Sequence, residues 1–417
     1  MKLYCFMSAL LFAVVPFAHG DWPSFRGPHG NGLADATNVP TTWSVNKNIK
    51  WKIPLPGPSN SSPIVVGDKV FTAGAIDQGK TRSLYCFQAG TGKRLWEKSV
   101  AFDRVETTHK TNPYCSSTPV SDGKVVIVWH GSAGLFCYDL NGNEIWSNDL
   151  GDVVHIWGFG SSPIIHDDRV FLNHGPGKDT ALMAVSLKTG KTLWQVSQPG
   201  VDATNPKKYT GSWSTPIIVK VGGKDQVVCS MPTRVIACDV ATGDILWTCD
   251  GIASDRGNLA YASPLVSNGM GVAFGGFKGP SLGFKLGGSG NITATHRVWR
   301  EEQKQPQRIG SGVIVDGHIF ISNADGPMAL QCIELATGKV KWNQRLGGGF
   351  WGSVVQADGR LYGTNQRGVT HVFAADSGAF NSIAENALEE PSNSTPAIVS
   401  GRIYIQTHGH LWCIESE

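Results

Sequence analysis

The chain has 417 residues, among them 51 Gly and 14 Trp; 17 % are charged and the formal net charge is +3. Gly is about 12 % of the chain against a usual ~7 %, and charge falls well below the usual ~25 %. This excludes disorder, which needs high charge and few aromatics, and a coiled coil, which needs abundant Ala, Glu, Lys, Leu and Arg. The near balance of 36 basic and 33 acidic residues gives no reason to expect a nucleic-acid partner. What remains is a chain of many short strands joined by tight turns, in one large all-β domain.

In chain order, residues 1–20 read first as a secretory signal peptide. Lys2 supplies the positive start, Leu3 to Ala18 the apolar run, and Ala18-His19-Gly20 small residues before a cut at Asp21. The run is too short and too broken to span a membrane comfortably, and no later segment approaches 18 apolar residues. We therefore expect an exported, periplasmic or extracellular protein without a transmembrane segment in its mature chain, and a monomer. Residues 21–49 form an N-terminal extension whose docking the sequence leaves open.

From residue 50 to 417 one unit recurs. It opens on Ser/Thr-Pro, passes an apolar strand and a Gly/Asp turn, and ends on Thr-Gly and Trp. The first copy runs Ser62-Pro63-Ile64 through Thr91-Gly92-Lys93-Arg94-Leu95-Trp96. Further starts stand at Pro119, Pro163, Pro216, Pro264 and Pro396, with Gly310-Ser311-Gly312 and Gly352-Ser353-Val354 in two degenerate copies. Eight starts at intervals of roughly 40–55 residues indicate an eight-bladed β-propeller of four-stranded blades. The units end at Trp96, Trp146, Trp194, Trp247, Trp299 and Trp342, with Ile383 near that place in unit seven. Unit eight stops short, and Lys50-Trp51-Lys52-Ile53 stands alone ahead of unit one as its missing strand. The ring is thus predicted to close through an N-terminal strand, which hides edges that would otherwise aggregate. The seven Trp, including Trp51, are expected to pack between blades.

Cys86, Cys137, Cys332 and Cys413 share one third-strand position with Ala184 and Ala237, which marks a small, buried site. Equivalent places on different blades lie beyond disulfide reach, so reduced core thiols are expected. Cys115, Cys229, Cys238 and Cys249 fall outside this column, and a Cys229–Cys249 bridge stays open.

Strand alternation brings the loops before each Ser/Thr-Pro start to one mouth of the central channel. The candidate ligand-binding residues there are Asn60, Asn112, Tyr114, His155, Trp157, Trp213, Asn258, Tyr261, Arg308, Trp351 and Asn393. Aromatics interleaved with amides suit a flat ligand, a carbohydrate or a cofactor ring. The alternative is that the aromatics plug the channel. His109, His130, His155, His174, His408 and His410 gather on the same face, where a metal or acid–base site is a further alternative, although no spacing matches a metal motif. No hydrolase elbow, zinc-protease helix or P-loop is present.

The repeated Thr-Gly-x-x-x-Trp with its preceding strand, as in Ala237-Cys238-Asp239-Val240-Ala241-Thr242-Gly243-Asp244-Ile245-Leu246-Trp247, resembles the repeat of pyrroloquinoline-quinone (PQQ) propellers. It also resembles the BamB-type propeller of outer-membrane assembly, which uses the repeat without a quinone. Asp21-Trp22-Pro23-Ser24-Phe25-Arg26-Gly27-Pro28 with Asn31-Gly32 resembles the opening of exported PQQ-like repeat proteins of the planctomycete type. The resemblance implies either a ligand- or protein-binding scaffold with an envelope partner, or a dehydrogenase of alcohols or sugars with PQQ and Ca²⁺ as cofactors. The adjacent Cys pair used against the quinone, the haem-attachment motif and the lipid-anchor Cys of the two families are all missing from the sequence, and no Ca²⁺ ligands can be matched.

Overall fold

The computed structural model describes residues 20–104, 106–177, 180–198, 209–302, 306–325 and 329–416. The expected leader, Gly20 apart, lies outside them. Eight four-stranded antiparallel meanders follow one another in chain order, each an element of one closed ring. Blade 1 is Ile64–Val66, Lys69–Ile76, Thr81–Gln88 and Arg94–Ala101. Blade 8 is Ala397–Val399, Arg402–Gln406 and His410–Glu415, completed on its outside by Ile49–Pro54. Trp51 stands opposite Cys413 in that closure, and Glu415 takes an ion pair from Lys50 and another from Arg402 at 2.6 Å. No helix among the described residues is long and apolar enough to cross a membrane.

The core is not one mass but a ring of wedges, each shared by consecutive blades. Phe71, Leu84 and Cys86 of blade 1 meet Val126, Val128 and Tyr138 of blade 2, and the pattern repeats round the ring. The small-residue column is as expected: Cys86, Cys137, Ala184, Ala237, Cys332 and Cys413 each stand across from a Trp of the outer strand. In blade 5 the column residue is Gly283, opposite Trp299. In blade 7, Ala384 rather than Ile383 takes the Trp place, opposite Val372. Ile383 occupies the bulge just before it and is exposed, as Leu95, Ile145 and Leu193 are before their Trp. All eight described Cys are free and buried. Cys229 and Cys249 cannot pair, because they face opposite sides of blade 4, into the wedges with blades 3 and 5 respectively.

The Trp work across blades. Trp51, Trp96, Trp146, Trp194 and Trp299 each donate Nε1–H to a carbonyl of the next blade, at 2.8–3.3 Å. Each ring lies on the turn Gly that the next blade supplies: Gly92, Gly142, Gly190, Gly243 and Gly338. Trp247 departs from this. A longer turn in blade 5 lays Gly290–Asn291 beside the outer strand of blade 4, and Trp247 bonds Gln226 instead, at 2.9 Å.

The extension fills the base of the channel. Trp22 exchanges backbone hydrogen bonds with Val65 of blade 1, and Ser121 of blade 2 donates to Pro23 at 2.9 Å. Arg26, fully buried, donates to the carbonyls of Gly30, Asn31 and Gly312, the last in blade 6. Leu33–Ala34 then pairs in parallel with the inner strand of blade 7. The segment is therefore stitched across the channel, just below the Ser/Thr-Pro starts. Farther on, Trp43 packs between blades 7 and 8, its amide bonded to Asn386 at 2.9 Å.

Candidate functional site

The Ser/Thr before each blade's inner strand builds a belt. The Ser62 amide donates to Thr118 Oγ1, Thr118 to Ser162, and Ser162 to Thr215. Ser263 donates to Ser311, Ser311 to Ser353, Ser353 to Thr395, and Thr395 back to Ser62, every bond lying at 2.9–3.1 Å. The belt is interrupted only between Thr215 and Ser263. There the two mouth loops pair with each other, Tyr209–Ser212 parallel to Gly257–Ala260, and the Trp213 amide bonds Ala260. The sequence presents these hydroxyls as blade starts; their inter-blade bonds appear only in three dimensions.

Above the belt a cavity of about 330 Å³ opens at the channel mouth. Its floor includes Phe25 of the extension and the belt residues Ser62, Thr215, Ser263, Ser311 and Thr395. Of the candidates, Asn60, Asn112, Trp157, Trp213, Tyr261, Trp351 and Asn393 line it. Phe277, His109, Thr111 and Gln307 join them.

Each wall has a local cause. Asn112 donates from Nδ2 to the carbonyls of Trp157 and Phe159 at 2.7 and 2.8 Å, and Trp213 Nε1 donates to Gly158 O at 2.8 Å. These bonds hold the Trp157 loop from both sides. Gly158 must be glycine: its φ is +65°, and a Cβ would lie 2.3 Å from Thr108 Oγ1. Trp157 then meets Tyr209, Phe277 and Trp213 with ring centres 5.0, 5.4 and 5.8 Å apart. Phe277 reaches the wall from a tight turn closed by Gly279 N–H to Gly276 O, with positive φ at Phe277 and Lys278. Burial pushes the Tyr261 hydroxyl's pKa up, although the Phe277 amide bonds it.

The facing side is an amide chain. Gln366 Nε2 donates to Asn393 Oδ1, Asn393 Nδ2 to Asn60 Oδ1, and Asn60 Nδ2 to Thr111 O, at 3.1, 2.9 and 2.8 Å. Blades 7, 8, 1 and 2 are tied at the mouth by these groups.

Four candidates stand off the cavity. Tyr114 lies against Gly79 and joins the blade 1–2 wedge. Asn258 is buried in the parallel ladder opposite Thr210. Arg308 turns inward, bonding Gln331 at 2.8 Å over the Phe274 ring. His155 stands behind the Trp wall, its ring 4.8 Å from that of Trp213, and accepts the Trp157 amide. Burial pushes its pKa down to about 4, with a backbone bond at Thr210 pulling the other way.

The imidazoles do not converge. His130 is buried beside Arg82, and His410 pairs with Glu390 at 2.6 Å on the blade 8 side. Among the described residues no group of three or more His, Cys, Asp or Glu could hold a metal ion. The described cavity lining contains no Asp, Glu, Lys or Arg.

A family model described as outer membrane protein assembly factor BamB matches residues 80–344 and 289–416. BamB from Moraxella catarrhalis superposes with a TM-score of 0.63 at 16 % identity, over 88 % of this chain and 99 % of that one. A quinohemoprotein alcohol dehydrogenase from Comamonas testosteroni gives 0.68 at 10 % identity, over 95 % and 81 %. At these identities the likeness is one of fold. A curated polyvinylalcohol dehydrogenase from Sphingopyxis sp. (strain 113P3) is 22 % identical over 210 residues, which are 48 % of this chain and 23 % of that protein. The chain thus spans about a quarter of the length of that relative. With the eight blades, their Thr-Gly-Trp repeat and the family match together, the chain belongs to the BamB family of PQQ-like β-propellers.

Proposed function

We propose that this protein is an exported binding propeller whose mouth cavity takes a ligand without a resident quinone. The reading rests on the chemistry of the described lining. Ca²⁺ seeks six to eight oxygens, carboxylates prominent among them, and PQQ carries three carboxylates of its own. The described lining supplies neither acidic ligands nor a Lys or Arg to meet those anions. A Ca²⁺-bound quinone does not fit that donor set. Aromatic faces and neutral amides instead favour a ligand held by contact area and oriented hydrogen bonds.

The competing reading, a PQQ- and Ca²⁺-dependent dehydrogenase of an alcohol or sugar, draws on the partial likeness to the polyvinylalcohol dehydrogenase. The two separate in one titration. PQQ with Ca²⁺ is added to the purified protein while quinone absorbance and dye-linked alcohol oxidation are followed. No saturable binding and no oxidation are expected; stoichiometric uptake of PQQ would overturn the reading.

A further inference from the structure

We infer that the ligand of the mouth cavity is an uncharged saccharide that enters end-on. The inference rests on the binding-propeller reading and adds the ligand's chemical class. Three observations converge on it.

The first is neutrality. No carboxylate, ammonium or guanidinium group belongs to the described lining. A charged sugar would have to leave water without a counter-charge, which is unfavourable.

The second is the division of the walls. In a ring of eight, a junction faces the one four places on. Trp213, ahead of blade 4, therefore stands across the axis from Asn393, ahead of blade 8. Tyr261 stands likewise across from Asn60. One side offers Trp157, Trp213 and Tyr261, with Trp351 facing Trp157 from the opposite side, and such aromatic faces suit the C–H face of a sugar ring. The other offers amides already fixed by the Asn393–Asn60 bond at 2.9 Å, so little ordering is left for binding. A wholly apolar ligand would bury those amides without new partners, whereas sugar hydroxyls meet them.

The third is the floor. Thr215 and Ser311 each accept a backbone amide at 3.0 Å, and neither hydroxyl proton has an acceptor among the described residues. A hydroxyl can donate while it accepts, so these groups are spare donors for sugar oxygens. Phe25 closes the channel beneath them. A blind cavity of about 330 Å³, near the small end of ligand sites (about 300–1,000 Å³), admits a chain terminus of about one or two sugar rings.

The test is a glycan array carrying uncharged and acidic oligosaccharides, probed with the labelled full chain. Calorimetry with the retained glycan follows, and PQQ with Ca²⁺ is titrated in parallel. The expected result is retention of uncharged glycans through an exposed terminal unit. Trp157→Ala and, as a second variant, Trp351→Ala should each weaken calorimetric affinity by about tenfold or more while the thermal midpoint stays within a few degrees. Retention of no glycan, retention of acidic glycans only, or unchanged affinity in both folded variants overturns the inference. Uptake of PQQ would instead overturn the reading beneath it.

Discussion

At the scale of single residues, burial sets the chemistry of the titratable groups near the mouth. His130 is held down to about 3 by burial first and the Arg82 guanidinium second; His155 is held down to about 4 by burial. Both lie below the ~6.5 of a free imidazole. Between those values the unfolded chain binds a proton that the folded chain refuses, so stability falls as pH drops from about 6.5 towards 4. Each such group steepens the loss by about 1.4 kcal/mol per pH unit. His155→Gln is therefore expected to flatten the fall over that window by about one proton, read as urea midpoints from pH 7 to 4. An unaltered slope would mean that His155 is protonated in the folded protein. The thiols follow the same logic in the other direction: burial pushes Cys137 and Cys413 up to about 12, which makes them packing groups rather than nucleophiles.

At the scale of elements, the contact between a Trp and the next blade's turn is the repeating joint of the ring. At one joint Trp146 donates to Leu187 O at 2.8 Å, and its ring covers Gly190, whose φ is +73°. A Cβ at Gly190 would sit 2.5 Å from that ring. Gly190→Ala is expected to cost about 1–3 kcal/mol through strain and overpacking, and Trp146→Ala about 3–5 kcal/mol through the lost contact. Combined, they should cost less than the sum, because both break one joint; chemical denaturation of the three variants measures this. Strict additivity would mean that the two residues act separately.

The same joints explain what could be read in the sequence. Blade number, strand count and the Trp column follow from a short repeat in which each residue type has one place. The column fails as a guide where the repeat bends: Ile383 holds the bulge, and Trp247 lies beside the longer Gly290–Asn291 turn rather than under a Thr-Gly turn. The cavity was less legible. Trp157, Trp213 and Tyr261 stood out because no repeat position required them. Phe25 sits about forty residues ahead of the first blade, and Phe277 in a turn marked mainly by its glycines. Neither carries a periodic signal. Arg308 stands off the cavity for a physical reason: a guanidinium beside the mouth can still turn into a wedge when Gln331 and the Phe274 face meet it there.

At the scale of the whole molecule, closure depends on residues at the two ends of the sequence. Without Ile49–Pro54 the strand His410–Glu415 would present an unpaired edge with Trp412 and Ile414 close by. Such edges recruit other chains. Deleting residues 21–54 is therefore expected to yield soluble oligomers or aggregate, visible by light scattering, with a thermal midpoint well below that of the intact chain. A monodisperse monomer of unchanged midpoint would show that the ring closes without its N-terminal strand.

That closure also fixes an order of events in synthesis. Arg26, Trp43 and Trp51 leave the ribosome early, yet their partners Gly312, Asn386 and Cys413 are made hundreds of residues later. Arg26, Trp43 and Trp51 must leave these contacts unmade until blades 6, 7 and 8 have been synthesised. Contacts of such sequence separation form slowly and leave partly built chains open to association. The segment that crosses the finished channel can thus begin to dock on blades 1 and 2 but completes its contacts only when blade 8 is present.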